Sequence, residues 1–199
     1  MQEFQQHDFS QVRLSTTRLE LRPMQMDDAD ALFAMCADAE FVRYWSEPAW
    51  QHREQAERRI QRDLDALPRG DYLCLAIVRK QDGVWLGNCS LFSFLWKCRR
   101  AEIGYGLARP YWGQGYMQEA LQALLAYGFE HLQLHRVEAD IDPANRASGQ
   151  SLKRLGFVQE GLLRERWIVD GQVSDSALFG LLQPDWLALQ TSAAKHASV

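Results

Sequence analysis

Pro110-Tyr-Trp-Gly-Gln-Gly-Tyr-Met117 places two glycines one residue apart, between a strand-like run at residues 101–107 and a helix-like run at 118–128. Glycines let backbone approach a ligand closely, and a helix start presents unpaired N–H groups at its positive dipole end. That combination suits a phosphate group. A plain surface turn has the same composition, so the spacing alone leaves both readings open. A dinucleotide fingerprint requires a third glycine or alanine, and Gln118 stands at that position. A triphosphate loop requires Gly-Lys followed by Ser or Thr, which is absent. What is left is a pyrophosphate held mainly by backbone amides.

A second segment, Asp142-Pro-Ala-Asn-Arg-Ala-Ser-Gly-Gln-Ser-Leu-Lys-Arg-Leu-Gly-Phe157, has Asn145 placed to cap a helix that carries Ser148, Leu152 and Leu155 and stops at Gly156. Read together, strand, glycine turn, helix, strand and Asn-capped helix resemble the coenzyme A site of GNAT N-acetyltransferases. Gly115 matches the central glycine of that family's signature. Trp112 stands where the family has a leading Arg or Gln, and Met117 where it has a small residue. Ala101-Glu-Ile-Gly-Tyr105, Tyr111-Trp-Gly-Gln-Gly-Tyr116, Asn145-Arg-Ala-Ser148 and Leu155-Gly-Phe157 are similar to the ribosomal-protein alanine N-acetyltransferase branch. The likeness runs from about residue 17 to 182.

The resemblance implies acetyl-coenzyme A as cosubstrate, no metal, and transfer of acetyl to a primary amine. That chemistry needs a polarised carbonyl, a neutral amine and a stabilised leaving thiolate, and a thiol of reference pKa about 8.5 needs only modest help. In the family a central strand splays from its neighbour and its backbone holds the cofactor arm. Here those residues are Tyr105, Gly106 and Leu107, with Gly104 and Gly106 leaving room, or else marking a bulge. The cofactor set is completed by Trp112, Gly113, Gln114, Gly115, Tyr116, Met117, Asn145 and Ser148. Leu152 occupies the position of the tyrosine that many relatives place near the sulfur, so Ser148 is the candidate hydroxyl, unless it bonds back within its helix. For the base, Trp167 stands where some relatives carry a glutamate. Glu102 is preferred, and Glu165, two residues before Trp167 and on the same face of a regular strand, is the alternative beside the acceptor. Tyr44, Trp45, Trp50 and Trp167 are the candidate acceptor aromatics.

The elements that must position these residues follow from periodicity. Leu19 and Leu21 alternate in a first strand, Asp27 and Asp28 open a helix, and Ala56, Ile60, Leu64 and Leu67 stripe a second one. Strands over 72–78 and 84–92 flank Asp82-Gly83, and strands over 162–169 and 173–182 flank Asp170-Gly171, both hairpin signals. Strands at 101–108 and 136–141 alternate with helices at about 114–131 and 146–155. The expectation is a single-domain α/β (α+β) GNAT fold spanning 1–199, its core at about 17–182, with a mixed, mostly antiparallel sheet of about seven strands and about four helices. Residues 191–199 are small and polar and are expected to fray.

Bulk properties narrow the partners. With 22 Lys and Arg against 26 Asp and Glu, a formal net charge of −4 argues against nonspecific nucleic-acid binding and suits a basic ribosomal-protein tail or a cationic amine. The four cysteines lack zinc spacing, the first residues lack an export pattern, and no run approaches the ~18 apolar residues of a membrane span. A cytoplasmic protein, as monomer or homodimer, is expected. Three functions stay open: acetylation of a protein N-terminus, acetylation of a polyamine, amino acid or aminoglycoside, and noncatalytic acyl-coenzyme A binding.

Overall fold

The computed structural model describes residues 7–197, with side chains described as far as Thr191. Residues 1–6, read above for an export pattern, and Ser198 and Val199 of the tail lie outside the described residues. The strands are β1 (Leu14–Ser15), β2 (Leu19–Pro23), β3 (Leu73–Arg79), β4 (Trp85–Leu95), β5 (Arg100–Leu107), β6 (Arg136–Ile141), β7 (Val158–Val169) and β8 (Gln172–Leu182). The α-helices are α1 (Ala29–Cys36), α2 (Ala39–Val42), α3 (Glu54–Ala66), α4 (Tyr116–Ala126), α5 (Arg146–Arg154) and α6 (Gln183–Ala197). One sheet contains all eight strands in the order β1-β2-β3-β4-β5-β6-β8-β7, and only the β5–β6 pair is parallel. The strand and helix counts exceed the expected ones because β1, α2 and α6 carry weak periodic signals of their own.

Alternation puts Leu19 and Leu21 fully into the core, together with Leu75, Leu91, Leu121, Leu124, Leu152 and Phe179. A second cluster on Met24, Leu32, Phe41, Ile60 and Ala76 brings α1, α2 and α3 against the sheet. Ala56, Ile60 and Leu67 of the expected α3 stripe are buried. Asp63, on the same helix, is buried as well, because Arg59 meets it at 3.0 Å and itself donates to the Tyr72 hydroxyl at 2.7 Å. A buried charge is tolerated only with such partners.

Both hairpin signals hold. At the β7–β8 turn Asp170 and Gly171 both have positive φ, +48° and +77°, the geometry of a tight turn that matches strand twist. Missing from the sequence reading is α6, which runs into the segment expected to fray. Pro184 and Asp185 at its start are ordinary helix-opening residues, and Trp186 buries itself against Phe129 with ring centroids 5.7 Å apart.

Candidate active site

The parallel pairing of β5 and β6 ends with Glu102 opposite Glu138, although β5 continues to Leu107 and β6 to Ile141. Beyond that point the two strands part. The Ala108 N–H donates to the Leu86 carbonyl, and backbone groups alternate in direction along a strand. Gly106 therefore turns its N–H and C=O toward β4, while those of Tyr105 and Leu107 face the gap. The Leu107 carbonyl accepts the Trp112 indole N–H at 2.5 Å, which pins the following turn to the strand end.

The room left by the β5 glycines is taken by packing. A Cβ on Gly106 would stand 2.7 Å from the Phe41 ring, and one on Gly104 3.1 Å from Phe92 and 3.2 Å from Ser90 Oγ. No register shift occurs at either glycine, so the bulge reading does not hold; the irregularity of this pair lies between Phe92 and Leu95.

At the glycine turn, Gly113 and Gly115 adopt φ of +71° and +78°, and Gly115 caps α4, which begins at Tyr116, two residues later than expected. The N–H groups of Gly113 through Gln118 have no acceptor among the described residues, and the first bonded amide is that of Glu119, to the Gly115 carbonyl. The Tyr116 side chain is buried and Met117 packs against the core, so this turn offers backbone rather than side chains to solvent. Arg18 lies over the Tyr116 ring at 4.4 Å, donates to the Gln114 carbonyl at 3.1 Å and pairs with Glu119 at 2.6 Å. A cluster of free amides at a helix start beside a guanidinium fits a pyrophosphate. Arg18 was not singled out from sequence, since it lies 97 residues upstream of Gly115.

Where β5 and β6 part, a cleft of about 870 Å³ opens. The α2–α3 connection, including Tyr44, Trp45 and Glu47, forms one wall, and the β7–β8 hairpin, including Trp167 and Asp170, forms the other. Glu102, Tyr105, Asp140, Asn145 and Ser148 lie between them. Asn145 caps α5, its side chain accepting the Ser148 N–H at 3.1 Å. The Tyr105 hydroxyl meets Ser148 Oγ at 2.8 Å. Burial pushes the Tyr105 hydroxyl up to about 12, against the lowering effects of the Ser148 hydrogen bond and the Arg154 charge, so it stays protonated at neutral pH.

The Glu102 carboxylate has no hydrogen bond or ion pair among the described residues. Its neighbour across the strands, Glu138, is held by Arg100 and Arg136 at 2.7 Å each. The two arginines on the cleft are both partnered, Arg166 with Asp140 at 3.2 Å and Arg43 with Glu40 at 3.4 Å. Together with Glu47, Asp142 and Asp170, this leaves the cleft with an excess of carboxylate.

Two expected residues are not brought to the cleft. Trp50 lines a small adjoining cavity with Leu32, Cys36 and Arg59, which shares Trp45 and Glu47 with the cleft, and its backbone N–H is tied to the Cys36 carbonyl at 3.0 Å. Glu165 does not share a face with Trp167: the register shifts between Leu163 and Trp167, Glu165 has φ of +53°, and its N–H is drawn to Asp175 at 2.8 Å. Trp167 does face the cleft, its indole N–H donating to Ser176 Oγ at 2.9 Å. No cysteine lines the cleft; Cys36, Cys74 and Cys89 are buried, and burial pushes the Cys36 thiol up to about 12. Among the described residues no three potential metal ligands gather, and no helix is long and apolar enough to cross a membrane.

A glycine turn with free amides, a strand pair that splays, and an Asn-capped helix facing the gap define an acetyltransferase of the GNAT type, and residues 18–158 match the family model for the acetyltransferase (GNAT) domain. The chain belongs to this family. It is 36% identical over 173 residues to an uncharacterized N-acetyltransferase, p20, of Bacillus licheniformis, covering 87% of this chain and 97% of that protein. It is 39% identical over 84 residues, 42% of this chain and 43% of the other, to the ribosomal protein uS5 alanine N-acetyltransferase of Escherichia coli. In fold it is similar to spermidine N-acetyltransferase from Vibrio cholerae solved with CoA and spermine, with a TM-score of 0.77 and 21% identity over 86% of this chain and 99% of that one.

Proposed function

We propose that this N-acetyltransferase transfers acetyl from acetyl-coenzyme A to a protein N-terminal α-amine, as the ribosomal-protein alanine enzymes do, by direct attack on the thioester. The free amides of Gly113 to Met117 would take the pyrophosphate, and the Tyr105 and Leu107 backbone with Asn145 would take the arm. Acetyl-coenzyme A supplies an acetyl group already activated as a thioester. The observation that carries the reading is Glu102, an unpartnered carboxylate on the cleft, on the strand whose backbone opens into the gap.

One weak base suits an α-amine. With a reference pKa of about 7.7 to 8.0 the α-amine costs roughly 1 kcal/mol to neutralise at pH 7, against roughly 4.6 kcal/mol for a lysine-type amine of about 10.4. Glu102, directly or through a water, supplies the smaller push. The alanine-specific relative matches 42% of this chain, and the spacing of Asn145 and Ser148 resembles that branch. A small polycation is the second reading, favoured by the carboxylate excess around the cleft and by the spermidine enzyme among the fold neighbours.

The test is coenzyme A release with three acceptors: peptides with a free N-terminus, the same peptides blocked there but carrying a free lysine, and spermidine. Free N-termini are expected to be acetylated fastest, and Glu102→Gln is expected to slow that reaction while leaving coenzyme A affinity intact. Faster acetylation of spermidine or of the blocked peptides overturns the acceptor assignment.

A further inference from the structure

Ser148 is the hydroxyl that sequence reasoning placed beside the leaving sulfur, yet a helical serine ordinarily turns its hydrogen back to the carbonyl four residues earlier. Here that bond is absent: the Ala144 carbonyl accepts the Arg146 N–H instead. The partner of Ser148 Oγ is the Tyr105 hydroxyl, 2.8 Å away across the gap between β5 and α5. If the serine were the donor, the tyrosine's own hydrogen would be left with the Ser148 carbonyl at 3.5 Å, too long for a good bond. Either hydroxyl can donate in this pair; when the tyrosine does, its hydrogen is held in the 2.8 Å bond and the serine hydrogen is the one left without a protein acceptor among the described residues.

Resting on the acetyltransferase reading above, we propose that Tyr105 is a positioning residue, whose hydroxyl donates into Ser148 Oγ and so leaves the serine hydrogen free to point into the cleft. In the reaction the acceptor nitrogen bonds to the acetyl carbon, the carbon–sulfur bond breaks, and its electron pair stays on the sulfur, where the Ser148 O–H donates a hydrogen bond. Glu102 takes the proton shed by the nitrogen. Tyr105 keeps its proton throughout, and burial of its ring holds it in the donor state across the working pH range.

The arrangement is a substitute for a tyrosine on α5 itself, where Leu152 is fully buried in the core and reaches no solvent. It could not be read from sequence, because Tyr105 and Ser148 are 43 residues apart and meet only through the strand splay.

The test combines kinetics with a spectroscopic readout on the free protein. Tyr105→Phe keeps the ring and removes the hydroxyl. It is expected to lower kcat about tenfold, the scale of one hydrogen bond to a developing charge, with acceptor KM and coenzyme A affinity by calorimetry each within about twofold. Ser148→Ala is expected to lower kcat at least as much, and the double variant no further than Ser148→Ala alone, since the tyrosine acts through the serine. In protein labelled with ¹³C at tyrosine Cζ, the resonance missing from Tyr105→Phe is expected to move in Ser148→Ala. An unshifted resonance, additive kcat losses, or a Tyr105→Phe variant equal to a fully active parent overturns the proposal while leaving the acetyltransferase reading intact. A parent that acetylates no amine overturns both.

Discussion

Gly115→Val tests the anion site with the least collateral damage. Gly115 sits at φ +78°, and a Cβ there would meet only Arg18 Nη2, at 3.5 Å, so the substitution clashes with nothing in the core. Its cost is backbone strain, about 1 to 3 kcal/mol for a side chain in the left-handed region. For a chain of this size each kcal/mol lowers Tm by roughly 2 to 4 °C. If the amides of Gly113 to Gln118 hold the pyrophosphate, relaxation of that strain moves them, and each charge-assisted bond lost is worth about 1.5 to 3 kcal/mol. Acetyl-coenzyme A affinity, measured by calorimetry, should then fall at least tenfold. Gly83→Val is the matched control: φ is +72°, nothing lies within 4 Å of its Cβ, and it sits in the β3–β4 turn. It should show a similar fall in Tm and unchanged affinity. A folded Gly115→Val variant that binds acetyl-coenzyme A like the parent, or an equal loss in Gly83→Val, would refute the reasoning.

The two tryptophans should separate cleanly. Trp167→Phe, which loses a cleft-facing indole and its bond to Ser176, is expected to raise acceptor KM by severalfold, whereas Trp50→Phe should lower Tm and leave KM unchanged; steady-state kinetics and thermal melts distinguish the two. Glu119 ties the first turn of α4 to Thr16 and Arg18. Burial raises its pKa, but the Thr16 hydroxyl, the Arg18 N–H and the guanidinium outweigh that and hold it below the usual 4.5. A depressed folded-state pKa contributes stability above the unfolded value and loses it as pH falls through the folded one. Glu119→Gln should therefore melt lower than the parent at pH 7, with the difference closing as pH falls below about 4.5; a constant difference down to pH 3 would count against this linkage.

Local rules carried the reading of the glycine turn, the Asn145 cap and the Asp-Gly hairpin, because each depends on a few adjacent residues. Positive φ at Gly113, Gly115 and Gly171 and the capping bond from Asn145 are consequences of backbone sterics and short-range hydrogen bonding that a sequence displays directly. Glu165 went astray for a tertiary reason: its expected face assumed regular alternation, and the shift between Leu163 and Trp167 broke it. Trp50 and Trp167 look alike as exposable aromatics, and only the packing of the α2–α3 connection against α1 sends one beside the cleft while the hairpin sends the other into it.

The sequence by itself determined the order of elements, the turn that presents free amides, and the residue types able to polarise, cap and deprotonate. Only the tertiary structure decided which of them meet. Beyond Glu102 and Glu138 β5 and β6 no longer pair, and that single geometric fact opens the cleft, leaves the Tyr105 backbone facing it and the Glu102 carboxylate on it without a partner among the described residues, and brings the Tyr105 hydroxyl to Ser148. Such contacts join residues dozens of positions apart through packing, which no local pattern along the chain encodes.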